Sequence, residues 1–310
     1  MEYEERENSK GVLKAFIGIF AIVFVLSLLG IYWFLPFGEV EFFASGGNSN
    51  FSVSSDDKMQ FYSNMRFPEK RISYKIINCP LQRNYDMENG FEFLSNLTEL
   101  EFYPVLDNEE ISIRCEDKQR FSSGLYIAGE GGPTNITETE RFSVILRGEI
   151  LLLKDSECKI PNIVIHELLH VLGFDHSTNK NNLMYNITNC NQIIGEDIIS
   201  KLNEIYSVES LPDLKLEKAT STMNGRYLDT NISIRNFGLK AISGAELKIF
   251  ADGELIKTID LEFLDIGYGR EIMFSNILIS QLSVNELEYS IETASAELDK
   301  KNNKIKLVLE

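Results

Sequence analysis

The sequence predicts an apolar helix near the amino terminus, then a compact α/β (α+β) unit, then an all-β sandwich at the carboxyl end. Three observations carry this. An uncharged run, AFIGIFAIVFVLSLLGIYWFL, fills residues 15–35. Strand and helix patterns alternate from about residue 66 to 208, and from about residue 211 to 310 only short alternating strands remain. The chain has 310 residues, of which 44% are hydrophobic and 25% charged, enough to bury two cores and confine disorder to short connections. The expected parts are a tail at 1–14, an apolar span at 15–36, a linker at 37–65, an α/β domain at 66–208 and a β-sandwich at 209–310.

The 21 residues of the apolar run, at about 1.5 Å of rise each, match a hydrocarbon slab of about 30 Å. Tyr32 and Trp33 fall where interfacial aromatics are favoured. A single transmembrane helix is therefore expected. A cleaved leader is the alternative, because FASGG at residues 43–47 offers small residues to a peptidase, although a leader's apolar region normally runs only about 7–15 residues. Arg6, Lys10 and Lys14 precede the run and the first basic residue after it is Lys58, which places the amino terminus in the cytoplasm and the rest outside the cell. All four cysteines (Cys79, Cys115, Cys158, Cys190) follow the run, without a CxxC pair. Exported, they form two disulfides in one of three pairings, with buried free thiols as the alternative. A formal charge of −17 with no basic cluster excludes nucleic acid as a partner.

Along the chain, the small polar residues ASGGNSNFSVSSDD read as a tether. RISYKII (71–77) alternates as a strand, and QRNYDMENGFEFLSNL (82–97) reads as a helix that Gly90 weakens. ELEFYPV and EISIRC are further strands; GLYIAGEGGPTNITETE (124–140) reads as a glycine-rich loop, and RFSVILRGEILLL (141–153) as extended chain. A helix is expected from near Ile160, with Pro161 in its first turn and Gly173 just past its end. In IIGEDIISKLNEIYS (193–207), Ile194, Ile198, Leu202 and Ile205 recur at helical spacing, and Glu196 and Asp197 suit the positive end of the dipole. Beyond SLPDL come short strands, LKLEKA to KIKLVLE, with Asp252-Gly253 as a hairpin signal.

The segment HELLHVLGFDH, residues 166–176, contains every histidine of the chain. A lone histidine is ordinarily a satisfied core or surface residue. His166 and His170, however, stand four apart on one helix face, and Gly173 lets the chain turn so that His176 approaches from another side. Zn²⁺ takes imidazole nitrogens tetrahedrally, which leaves the fourth position for water. Glu167, beside the first ligand, has the reach and the charge to take a proton from that water.

HELLHVLGFDH fits HExxHxxGxxH, so the chain resembles the metzincin metalloproteases. Met184 in NNLMYN, eight residues after the third histidine, stands as their methionine turn, and Ser177 with the LMY wording is most similar to the matrixin branch. The resemblance implies zinc ligands at His166, His170 and His176, Glu167 as general base, a mixed twisted sheet above an active-site helix, and a protein or peptide substrate. It also implies an edge strand near residues 142–153 whose backbone, around 144–151, holds the peptide. Residues shaping specificity fall at 185–194.

There are departures. No PRCGxPD segment precedes the domain, and residues 36–70 are too few for the usual propeptide. The proline often found after the turn is Asn186, and three histidines are too few for a second histidine-ligated zinc. Tyr185 stands one residue after Met184, not the two of an astacin-like ligand. The carboxyl-terminal tail, with ISIRNFG and ADGELI, resembles adhesion-related immunoglobulin-like domains of bacteria and archaea, which implies a cell-surface partner. The expectation is a single-pass, membrane-anchored zinc metalloendopeptidase with its catalytic domain extracellular. The alternative is a surface adhesion or peptide-binding protein with an inactive protease unit.

Overall fold

The computed structural model describes residues 19–20, 22–27, 48–53, 58–118, 120–122, 125–281 and 283–309, in two units, Met1–Gly46 and Gly47–Glu310. In the first unit, residues 19–20 and 22–27 are helical and exposed, and the rest of the 15–35 run, and so the expected span as a whole, lies outside the described residues. Among the described residues no helix is long and apolar enough to cross a membrane.

The second unit opens with an α/β part. Its strands in chain order are β1 (Met65–Arg66), β2 (Arg71–Ile77), β3 (Glu101–Pro104), β4 (Ile111–Cys115), β5 (Arg120–Ser122), β6 (Leu125–Ile127), β7 (Gly129–Glu138) and β8 (Ser143–Leu152). Its helices are α1 (Leu81–Leu97), α2 (Asn162–Val171) and α3 (Glu196–Tyr206). One sheet runs β3-β2-β4-β8-β7, with β1 beside the first residues of β8; all neighbours are parallel except β7. β5 and β6 form a separate small hairpin. The core lies between sheet and helices: Ile72, Ile111, Ile113, Ile145 and Ile150 meet Met87, Phe91 and Leu94 of α1, Ile165, Leu168 and Leu169 of α2, and Ile198 and Leu202 of α3. Buried Arg66 closes the far end of α3, its guanidinium donating to the carbonyls of Ile205 (2.6 Å) and Val208 (2.9 Å). A cation at those unpaired carbonyls also complements the helix dipole.

Three expectations are corrected. Residues 124–140 are not a loop, since they contain all of β6 and β7. β7 is also the antiparallel edge, whereas β8, expected at the edge, has β1 and β4 on one side and β7 on the other. The backbone at 144–151 is thus engaged inside the sheet and is not free for a peptide. Gly129, Gly131, Gly132 and Pro133 erased the alternation that marks a strand, and an edge is where a sheet tolerates proline. The active-site helix begins at Asn162, with Pro161 just before it.

The linker at 37–65 is only partly a tether. Residues 48–53 lie along the domain: Asn48 and Ser49 carbonyls accept from Asn179 Nδ2 (2.7 Å) and Asn182 Nδ2 (2.6 Å), and Phe51 N–H donates to Asp197 Oδ2 (2.6 Å). Small polar residues fit this role because side-chain amides and carboxylates satisfy an otherwise unpaired backbone. The cysteines pair as Cys79–Cys115 and Cys158–Cys190.

The remaining strands are β9 (Leu214–Asn224), β10 (Tyr227–Asn236), β11 (Glu246–Ala251), β12 (Glu254–Asp260), β13 (Gly269–Leu278), β14 (Glu286–Glu292) and β15 (Lys304–Val308). They form antiparallel sheets ordered β13-β10-β9 and β12-β11-β14-β15. The inner faces meet through Leu216, Leu228, Ile232 and Ile234 on one side and Leu247, Ile249, Leu287 and Ile291 on the other. Buried Tyr289 bonds Thr230 Oγ1 (2.8 Å). Asp252 and Gly253 turn the β11–β12 hairpin with φ of 44° and 85°, as a type I′ turn requires.

The two parts share a third cluster, in which Phe142 and Val144 from the α/β part pack with Leu239 and Ile266 from the sandwich, and Lys215 bonds Glu140 beside it. Leu239 is fully buried there. A Leu239→Ala variant is expected to lose about 2–5 kcal/mol, and calorimetry should show a single unfolding transition separating into two.

Candidate metal and catalytic site

The site is built on α2. Apolar Val164, Ile165, Leu168, Leu169 and Val171 bury the helix on most of its circumference, which leaves His166, Glu167 and His170 on the face below the cleft. Gly173, at φ +95°, ends the helix in the left-handed region, and the chain doubles back to bring up His176. The bend is held from outside: Asp175 N–H donates to Met59 O (3.0 Å), and Phe174 bridges Gln60. The Asp175 carboxylate accepts from His176 N–H (2.7 Å), so it braces the turn.

Backbone carbonyls fix two of the imidazoles. His166 Nδ1 lies 2.7 Å from Leu183 O and His170 Nδ1 lies 2.8 Å from Phe174 O. A carbonyl only accepts, so each Nδ1 carries the proton and each Nε2 presents a bare lone pair. Those Nε2 atoms stand 3.0 Å apart, and His176 Nε2 is 3.2 Å from that of His170. Burial, reinforced by the neighbouring rings, holds His166 neutral by depressing its pKa to about 3. Burial likewise lowers His170 to about 4, and His176 is lowered by the same cause. Neutral lone pairs facing one another with no proton between them repel, and a shared cation turns that repulsion into coordination. The donor set therefore fits a metal ion, and all three ligand atoms lie within 4.8 Å of one another. Three imidazoles are the donor chemistry of an open zinc site.

The carbonyl that orients His166 is itself held, because Met184 N–H donates to Asn182 Oδ1 (2.8 Å) and Ser177 N–H donates to Met184 O (2.8 Å). Met184 is fully buried and belongs to the same core as Ile165, Leu168 and Leu169 of the histidines' helix.

Glu167 is 6% exposed, and burial first, with the charge of Glu130 second, pushes its carboxyl up to about 8. A cation held by the imidazoles acts in the opposite direction. Edge strand β7 crosses directly over this residue: a Cβ on Gly131 would stand 2.4 Å from the Glu167 carbonyl oxygen, and one on Gly129 would stand 2.9 Å from Oε1. Only glycine permits that approach. A cleft of about 660 Å³ is lined by Glu167 and the three histidines, by Gly129, Glu130 and Gly131 of β7 with Ile127 and Ala128 before them, by Asn186, Ile187 and Thr188 of the chain after Met184, and by Lys154 and Ile163.

All four residues singled out from the sequence thus meet at one place. The carbonyls of Leu183 and Phe174 were not legible, being backbone. The glycines of β7 left one usable signal, a spacing of two, which puts both on the same face of a strand.

Residues 66–207 match the family model for matrixin. Among solved structures, the chain is similar to high choriolytic enzyme 1, a hatching-enzyme zinc-protease from the medaka fish Oryzias latipes, at 18% identity over 41% of this chain and 55% of that one, with a TM-score of 0.25. The chain spans about half the length of that enzyme. It is also similar to a CARDB domain from Pyrococcus furiosus, solved in complex with di-metal ions, at 14% identity over 31% of this chain and 84% of that one, with a TM-score of 0.27. No curated protein matches. The matched segment is accordingly a matrixin-like, metalloprotease-like domain that carries a histidine triad able to hold a metal ion.

One equivalent of zinc per chain is expected after dialysis of the purified protein. His170→Ala, which removes the central ring of the three, should reduce it to background by elemental analysis.

Proposed function

We propose that residues 66–208 are a zinc-dependent endopeptidase, anchored at the cell membrane by residues 15–35 with the catalytic domain outside. The observation that carries the proposal is the convergence of three imidazole nitrogens beside a buried carboxylate and under a strand edge. His166, His170 and His176 would hold the ion, which when bound supplies Lewis-acid polarisation of a carbonyl and lowers the pKa of water. Glu167, fixed against Gly129, accepts the proton released as water attacks the peptide carbonyl and returns it to the departing amine. Among the described residues β7 pairs only on its β8 side. Its other edge offers N–H and C=O groups to an extended peptide, the strand addition expected from the sequence but one strand further out. Ile127, Ile163 and Ile187 give the cleft an aliphatic lining for an apolar side chain.

Removing the base while keeping the ligands separates chemistry from metal binding. Glu167→Ala is expected to cut the cleavage of an unfolded protein by at least about 10³-fold, with its zinc retained; cleavage persisting in that variant would remove the assigned role.

Support for the location comes from the basic residues ahead of the apolar run and from the two disulfides beyond it, which suit an oxidising compartment. Protease added to intact cells should release the cysteine-containing portion, as followed by immunoblot, and full protection would reverse the orientation.

A further inference from the structure

Asn186, Ile187 and Thr188 line the cleft together with Gly129, Glu130 and Gly131 of β7, and they open the segment NITNCNQ, residues 186–192, called the wall below. Its only aliphatic side chain, Ile187, is 45% exposed and lines the cleft, so the wall cannot be held by burying apolar side chains of its own. It is instead organised around two buried carboxamides. Gln192, 2% exposed, donates from Nε2 to the carbonyls of Ile187 (2.8 Å) and Lys180 (3.2 Å), and its Oε1 accepts from Asn189 N–H (2.9 Å). Asn162, fully buried, donates from Nδ2 to the carbonyls of Asn189 (2.7 Å) and Gln192 (3.1 Å). Asn162 is the first residue of α2, the helix that carries His166 and Glu167. The Cys158–Cys190 disulfide adds a covalent tie between the wall and the chain leading into that helix.

We infer that Gln192, backed by Asn162, is a positioning residue that sets the cleft wall relative to Glu167 before substrate arrives. The inference rests on the proposed peptidase reading. Its physical content is pre-organisation: a wall of mostly polar residues, free to sample many shapes, would be ordered at the expense of binding energy each time a peptide docked. The amides do that ordering in advance, and they touch neither the metal ligands nor the reacting atoms. Their loss therefore weakens substrate binding and spares the chemical step.

The test uses the full chain loaded with zinc. Gln192→Ala is expected to raise KM for a quenched-fluorescence peptide about tenfold, the effect of losing buried hydrogen bonds, with kcat within about twofold and zinc content unchanged. Amide hydrogen exchange across residues 186–192 should accelerate in parallel, a readout that needs no activity. Gln192→Glu, which keeps an acceptor for Asn189 but sets oxygen against the carbonyls of Ile187 and Lys180, should not rescue KM. Asn191→Ala, at an exposed neighbouring position, should leave KM unchanged. If Gln192→Ala does not fold, the paired Cys158→Ser and Cys190→Ser variant opens the other tie and should show the same rise in KM. Unchanged KM and unchanged exchange in a folded variant, or a fall in kcat at constant KM, would overturn the inference while leaving the peptidase intact. A wild-type protein that binds zinc yet cleaves no peptide would overturn the peptidase, and this inference with it.

Discussion

Two imidazole nitrogens 3.0 Å apart, each stripped of its proton because the opposite side of its ring is bound to a carbonyl, are a repulsive arrangement that a shared cation would relieve. Much of the α/β part can be understood as holding that arrangement. One carbonyl, Phe174, belongs to the bend behind α2, and its position follows from the left-handed Gly173. The other, Leu183, belongs to the turn around Met184, fixed by Asn182 and Ser177. Burial keeps the rings neutral and so keeps the lone pairs available. The buried carboxyl beside them belongs to the same economy, since a group poorly solvated in its charged form holds a proton more tightly.

Over this floor lies a strand chosen for what it lacks. β7 approaches α2 closely only because Gly129 and Gly131 present no side chain to Glu167. A glycine-rich strand has little packing of its own, and its order comes from β8 on one side and the helix beneath. The wall at 186–192 is equally short of apolar anchors and is ordered by amides and a disulfide. Both walls thus owe their order to specific polar and covalent partners more than to apolar packing of their own.

The elements that bury an apolar face were legible in the sequence: β2 occupies the predicted residues 71–77, α1 begins one residue before the predicted 82, and α3 buries the spaced residues Ile198, Leu202 and Ile205. The histidine cluster was legible because ligand geometry imposes a spacing, and the structure brings His166, Glu167, His170 and His176 together. What escaped was held by other means. β7 carries glycines where alternation is sought, and the 48–53 segment is bound through Asn179, Asn182 and Asp197, more than 100 residues away in sequence. The choice among three cysteine pairings likewise depends on which loops meet, information that local pattern does not contain.

The cluster of Phe142, Val144, Leu239 and Ile266 gives the sandwich a different character from a module strung on a flexible cord. Interior side chains cross from one part to the other, and β8, which supplies Val144, also carries the strand over Glu167. A pull on the sandwich is therefore felt at the cleft as well, because the shared cluster ties the strands of one part to the side chains of the other.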